Sequence, residues 1–280
     1  MKFSELTLKI NDKIFTYDKP IVMGIVNCTP DSFHTGSRKQ LKDELLNLVE
    51  KHISDGATII DLGGFSTRLN AKFVSEMDEL ERLKEPLSWI KEKFPDILIS
   101  IDTFRASVAD YCLKNGAHII NDISAGSFDS ELPNVVTKHN CPYIIMHLNG
   151  DLTTMHNNFT YQNITEDVLK YFEQKIDFFR QKGISQLIID LGFGFSKSME
   201  DNFELLRNLA QFKQLNTPIL AGLSRKRMIY QTLNSSPSEA LNGTTVLNTL
   251  ALQAGAQILR VHDVKEAVEV VRLVQKTVGN

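Results

Sequence analysis

Short apolar, β-branched runs alternating with amphipathic helical stretches predict an α/β protein, and eight such runs predict a closed (β/α)8 TIM barrel. Two further observations point to a single unit. No linker or shift in composition divides the chain, and 280 residues is a usual length for such a barrel. The expected organisation is a short N-terminal β-hairpin over 1–18 and one barrel domain over 19–280. A doubly wound open sheet is the competing arrangement of the same alternation.

Residues 7–10 and 14–17 flank Asn11-Asp12-Lys13 in the pattern of a hairpin. The stretch 20–33, PIVMGIVNCTPDSF, then opens with an apolar run, as a strand buried on both faces does. It breaks into Asn27, Thr29, Pro30, Asp31 and Ser32, where proline stops the strand and the others form turns. Helical periodicity over 41–54 puts Leu45, Leu48, Val49 and His52 on one stripe, closed by Asp55-Gly56. A strand over 57–60 runs into Asp61 and Gly63-Gly64, and a helix over 75–93 contains Pro86, where a break or kink is expected. The strand 97–101 ends at Asp102, the helix 106–114 stops at Asn115-Gly116, and 117–120 leads to Asn121-Asp122. In the second half, 143–146 ends at His147, the helix 165–182 stops at Gly183, and 186–189 ends at Asp190. Residues 205–212 read as helix and 218–222 as a strand leading to Ser224-Arg225-Lys226. A helix over 241–253 reaches Gly255, and 257–259 ends at Arg260-Val261-His262-Asp263.

Composition excludes several classes. A net charge of −3 without a basic block argues against a nucleic-acid partner, and no apolar run is long enough to span a membrane. The alternating N-terminus is unlike a signal peptide. Cys28, Cys112 and Cys141 are odd in number and scattered, which argues against a disulfide framework or zinc site and for a reducing compartment, the cytoplasm. Gly192 to Ser198 resembles a phosphate loop but lacks the glycine immediately before the lysine, and Gly63-Gly64 lacks the dinucleotide spacing.

In a (β/α)8 barrel the loops after the strands share one face, where active sites form. Here nearly every strand ends in a functional side chain: Asn27, Asp61, Asp102, Asn121, His147, Asp190, Lys226 and Arg260. Any one of these serves equally well as a helix cap; the whole set in phase does not. Asp61, Asp102, Asn121 and Asp190 suit a flat ring rich in N–H donors. Arg68, Lys226, Arg260 and His262 suit an anion such as a phosphate. Asn27 is a neutral oxygen ligand of the kind that holds a Mg²⁺ which keeps most of its waters and bridges a phosphate.

The segment Asn27-Cys28-Thr29-Pro30-Asp31-Ser32-Phe33 resembles the N-x-T-P-D-S-F signature of the dihydropteroate synthases. The resemblance continues, in order, through Gly63-Gly64-Phe65-Ser66-Thr67-Arg68, Ser100-Ile101-Asp102-Thr103, Asn121-Asp122-Ile123 and Met146-His147. It resumes at Asp190-Leu191-Gly192-Phe193-Gly194-Phe195, Ser224-Arg225-Lys226 and Arg260-Val261-His262-Asp263, and so covers nearly the whole chain. It implies a transferase of folate biosynthesis that condenses 6-hydroxymethyl-7,8-dihydropterin diphosphate with p-aminobenzoate, giving 7,8-dihydropteroate and pyrophosphate. Carried over by motif, Asp102, Asn121, Met146, Asp190 and Lys226 would bind the pterin, and Asn27, Arg68, Arg260 and His262 the diphosphate. Phe33, Thr67, Phe195 and Ser224 would line the p-aminobenzoate pocket, which is also the sulfonamide target. Asn27 would support Mg²⁺, and Asp102, Asp190, Lys226, Arg260 and His262 would act in catalysis. A homodimer through the last helices is also implied.

The chain departs from the family pattern in its second loop, where Leu69-Asn70 replaces Pro-Gly and Phe65 fills the variable place. Leu191 stands where proline is common. Cys28 reads as a small apolar residue rather than a reactive thiol. The competing functions are a methyltetrahydrofolate methyltransferase, a non-catalytic pterin-binding relative, and a barrel acting on an unrelated phosphorylated sugar. The first lacks the Ser-Arg-Lys and Arg-Val-His-Asp motifs, and the second loses Asn27, Arg68, Arg260 and His262.

Overall fold

The computed structural model describes residues 3–10, 13–28, 38–65 and 74–277. Strands β1 (Leu6–Ile10) and β2 (Lys13–Tyr17) pair antiparallel as the expected hairpin; Asn11 and Asp12 lie outside the described residues. Then come β3 (Ile21–Asn27), β4 (Ile59–Gly63), β5 (Leu98–Asp102), β6 (Ile119–Asp122), β7 (Tyr143–Met146), β8 (Leu187–Asp190), β9 (Ile219–Ala221) and β10 (Ile258–Val261). These are parallel neighbours in chain order, and β10 returns to pair with β3, so the sheet is a closed barrel and not an open one.

Between and after them run α1 (Arg38–Ser54), α2 (Glu76–Lys93), α3 (Ala106–Lys114), α4 (Leu132–His139), α5 (Ile164–Gln181), α6 (Met199–Arg207), α7 (Arg227–Thr232), α8 (Leu241–Ala254) and α9 (Val264–Thr277). Several begin where the sequence supplies a side-chain acceptor: Ser75 caps α2, Asn163 caps α5, and Ser198 with Asp201 forms a capping box on α6. Gly255, at φ +115°, ends α8 in the left-handed conformation that glycine adopts without steric cost.

Four expectations are corrected. Helix α2 runs through Pro86 without a break, the ring lying on the buried face beside Leu83, Leu87 and Ile90; burial of that face outweighs the one lost backbone bond. The helix expected over 205–212 is two elements, α6 and a 3-10 segment Leu209–Leu215, because α6 already starts at the Ser198 cap. Helices α4 and α7 are additional, both too short to show a clear period in sequence. Most strands begin one or two residues later than read and extend into the polar residues taken as their ends, so Asp61 and Asn121 lie within strands.

Alternation along the strands sorts the core into two parts. Outward residues such as Val22, Ile60, Ile99, Ile120, Ile145, Ile189 and Leu259 pack on the helices. Inward, Ile21, Met23, Ile59, Leu98, Ile119, Ile144, Ile188, Leu220 and Ile258 form an apolar layer at the lower end of the barrel. Leu6, Leu8 and Ile10, the buried face of β1, join that layer and close the mouth from below. Gln186 accepts a hydrogen bond from Lys9 N at 2.6 Å, and Gln257 donates to the carbonyls of Ser4 and Glu5, tying the hairpin to the barrel.

Candidate functional site

Two residues above that apolar layer, period-two geometry brings the next inward positions: Ile25, Asp61, Ser100, Asn121, Met146, Asp190, Gly222 and Arg260. Asn27 and Asp102 stand one step higher at the ends of β3 and β5. The strand pleat alone therefore gathers carboxylates, amides and a guanidinium over one mouth.

Arg260 is the hub. Its Nε donates to Asp61 Oδ2 at 2.6 Å and its Nη2 to Asp102 Oδ2 at 2.6 Å. Asn121 Nδ2 donates to the same Asp61 oxygen at 3.1 Å. Arg260, expected among the diphosphate ligands, thus has its guanidinium against Asp61 and Asp102. Burial holds the Asp102 carboxyl up at about 7, in spite of Arg260, with the negative charges of Asp61, Glu79 and Asp122 adding to the effect. Burial works against the charge on Arg260, but Asp61 and Asp102 more than offset it and its proton is held above the usual range.

Asp190 closes the other side. Its Oδ1 accepts from Gly192 N at 2.8 Å, and burial raises its pKa against the pull of that bond, Lys226 and Arg260. Lys226 follows β9 and carries its ammonium 4.1 Å from the Phe195 ring centroid. Burial pulls it down to about 8, while Asp190 opposes the shift. Phe195 is buried, with the His156 ring stacked at 5.6 Å and 24°. Phe195 and Met146 belong to an apolar patch with Phe104, Ile123 and Met155 beside the charged ring. The residues expected to bind the pterin and those expected to line the p-aminobenzoate pocket thus meet at Lys226 and Phe195.

The last two strand-end loops are joined directly. Ser224 Oγ lies 3.0 Å from His262 Nδ1 and accepts from His262 N at 3.2 Å. Arg225, held at φ +56°, donates from Nε and Nη2 to both oxygens of Asp263 at 2.9 and 2.7 Å. Asn27 is half-buried at its strand end. Phe33, Thr67 and Arg68 lie outside the described residues, as do Leu69 and Asn70.

Three residues have more to do than the sequence reading assigned. Asp61, read from the sequence only as one acceptor among the strand ends, also anchors Arg260 and Asn121. Lys197 is buried and donates to the carbonyls of His147, Gly192 and Phe195 at 3.3, 3.1 and 3.1 Å, which fixes the loop after β8. Burial pulls that ammonium down to about 7. The stretch that mimics a phosphate loop therefore uses its lysine internally. His156 carries no local signal, because only the folded loop brings it to Phe195. Among the described residues no group of three or more His, Cys, Asp or Glu could hold a metal ion.

Residues 23–262 match the family described as pterin binding enzyme. The chain is 41% identical over 262 residues to the dihydropteroate synthase of Escherichia coli K12, covering 93% of this chain and 92% of that one. Among solved structures it is similar to Xanthomonas albilineans dihydropteroate synthase with 4-aminobenzoic acid, at TM-score 0.91 and 33% identity, covering 99% and 100% of the two chains. It is also similar to the Yersinia pestis dihydropteroate synthase in complex with a sulfonamide drug, at TM-score 0.89 and 35% identity, covering 97% and 98%.

Proposed function

From the membership of this chain in the dihydropteroate synthases, within the pterin-binding enzymes, we infer that it condenses 6-hydroxymethyl-7,8-dihydropterin diphosphate with p-aminobenzoate to give 7,8-dihydropteroate and pyrophosphate. It is a transferase of folate synthesis, and sulfonamides compete for its arylamine pocket. The observation that carries the assignment of roles is the bonded cluster Asn121–Asp61–Arg260–Asp102, with Asp190 and Lys226 facing it.

In this reading Asp102, Asn121 and Asp190 accept from the N–H groups of the pterin, Lys226 donates to it, and Met146 packs on the ring. The C–O bond to the diphosphate breaks and its electron pair leaves with the diphosphate. The resulting methylene cation is stabilised by the carboxylates of Asp102 and Asp190. The neutral aniline nitrogen forms the new C–N bond and gives its surplus proton to solvent, so no strong base is needed. Arg260 and His262 hold the leaving diphosphate, as Arg68 would. Asn27 would hold Mg²⁺ alongside the substrate's phosphate oxygens, where the ion supplies neutralisation of the departing charge. Phe195 and Ser224 line the p-aminobenzoate pocket, with Phe33 and Thr67.

The test is to mix the protein with both substrates and Mg²⁺ and to follow dihydropteroate and pyrophosphate. Product that disappears on chelation and in Arg260→Ala is expected; pterin binding without product would replace the catalytic assignment with a binding one. The chain is read as cytoplasmic, supported by three cysteines that are all free and buried. It is also read as a homodimer through α8 and α9, supported by exposed Val246, Leu250 and Leu273 on those helices. Leu250→Glu with Leu273→Glu should convert the dimer to monomer in sedimentation; an unchanged mass would remove that interface.

A further inference from the structure

We propose that Asp61 is a positioning residue of the pterin half of the site, acting through Arg260 and Asn121 and not on substrate itself. The inference rests on the synthase reading and extends it to a residue that reading leaves without a role.

The argument begins with a contrast between two buried aspartates. Asp122 is fully buried and accepts four hydrogen bonds, from Ser124 N, Ser124 Oγ, Gly126 N and Tyr143 Oη, at 2.6–2.7 Å. All of its donors are local turn groups or a core side chain, which is how a carboxylate serves a fold. Asp61 is equally buried but has no backbone donor among the described residues. Oδ2 takes the contacts from Arg260 and Asn121, while Oδ1 has no partner among the described residues. A carboxylate supported so sparsely costs the fold stability. What it holds in return are two side chains of the site.

Each contact has a directional consequence. Arg260 on β10 is bonded through Nε to Asp61 on β4 and through Nη2 to Asp102 on β5, so two adjacent strands set the plane of its guanidinium. Asp61 is acceptor-only when ionised, so it requires the amide nitrogen of Asn121 to face it. The Asn121 oxygen must then point away from Asp61, which makes it an acceptor for a donor-rich ring. Neutralising Asp61 would loosen the guanidinium and let the Asn121 amide turn over.

Asp61 also bears on Asp102. The charges facing Asp102 are Arg260, which favours its ionised form, and Asp61, Glu79 and Asp122, which oppose it; Lys226 lies across the site, coupled to Asp102 and Asp190. Removing the Asp61 charge should therefore make Asp102 more acidic.

The experiment compares Asp61→Asn with the wild type, measuring kcat/KM for the pterin diphosphate against pH, KM for p-aminobenzoate, and Tm. The expected result is a loss in pterin kcat/KM of roughly 10- to 100-fold. KM for p-aminobenzoate should change less than about threefold, because the loss is confined to one substrate. The acid limb of the pterin profile, which reports the free enzyme, should move to lower pH. An unmoved limb, or equal losses on both substrates with Tm retained, would overturn the proposal. If Asp61→Asn alone does not fold, Arg260→Met is compared with the double variant Asp61→Asn/Arg260→Met, which lacks both charges. The added substitution should then cost less than about threefold, whereas a full additive loss would show that Asp61 acts independently of Arg260. A wild type that makes no dihydropteroate would defeat the synthase reading; an active wild type with an unaltered Asp61→Asn profile would defeat only this one.

Discussion

The lower and upper layers of the barrel interior are built from the same strands, two residues apart, and differ in nearly every chemical respect. The lower ring is isoleucine, leucine and methionine, sealed by Leu6, Leu8 and Ile10 of the hairpin. The upper ring holds Asp61, Asn121, Asp190 and Arg260 around a mouth that no such hairpin covers among the described residues. One pleat thus separates the part that supplies stability from the part that spends it on buried charge. Substitutions below should affect stability and spare turnover, and substitutions above should do the reverse.

The strongest test of that division is Asp102→Asn. It should lower kcat by about 100- to 1,000-fold, the scale for removing one group that stabilises charge in a transition state, while Tm at pH 8 does not fall. The sign follows from the carboxyl. Held at about 7 in the fold, it binds a proton more tightly than in the unfolded chain. The stability it contributes is therefore full below the ordinary carboxylate range and is lost as pH rises through about 7. Asparagine should remove that slope. In the wild type, kcat/KM for the pterin diphosphate should rise with pH through about 7 as the carboxylate forms; a flat profile there would detach Asp102 from pterin binding.

The converse test lies below. Leu8→Ala, at a side chain 2% exposed, should cost about 2–5 kcal/mol in denaturant unfolding with kcat within about twofold of wild type. A large loss of kcat at full stability would show that the plug and the site are coupled. Ser100, in the upper ring beside Asp61, is expected to be the exception to that rule. Its buried hydroxyl has no partner among the described residues, so Ser100→Ala should be neutral or stabilising by up to about 1 kcal/mol, with activity intact. The smallest effect is expected at Cys28. Its thiol is buried and pushed up to about 12, so a thiol reagent at pH 8 should label the native enzyme no faster than it unfolds, although Asn27 is its neighbour.

Much of this was legible because the barrel is periodic. The apolar runs fixed eight strands in phase, and the motifs at their ends placed Asp102, Asn121, Asp190, Lys226, Arg260 and His262 on one mouth. The hairpin was visible too, from the runs 7–10 and 14–17 flanking Asn11-Asp12-Lys13, but its use as a plug was not, since nothing local states which surface it covers. The bonding of Arg260 to Asp61 and Asp102 joins residues 199 and 158 positions apart, a distance at which a single sequence carries no pairing signal. The same holds for His156 on Phe195. Lys197 is the opposite case: its local context mimics a phosphate loop without the glycine that such a loop requires, and burial among three carbonyls gives its actual use.

The hairpin plug has a consequence for traffic. A cylinder stoppered at one end is a blind well, and whatever enters it leaves by the same opening. Asn121 and Asp190 lie inside the strands, whereas Phe195 and Ser224 stand on loops beyond the strand ends. On the roles proposed above, the bicyclic ring would lie at the floor and the arylamine over it, so the pterin is expected to bind before the arylamine, an order that product inhibition kinetics would read.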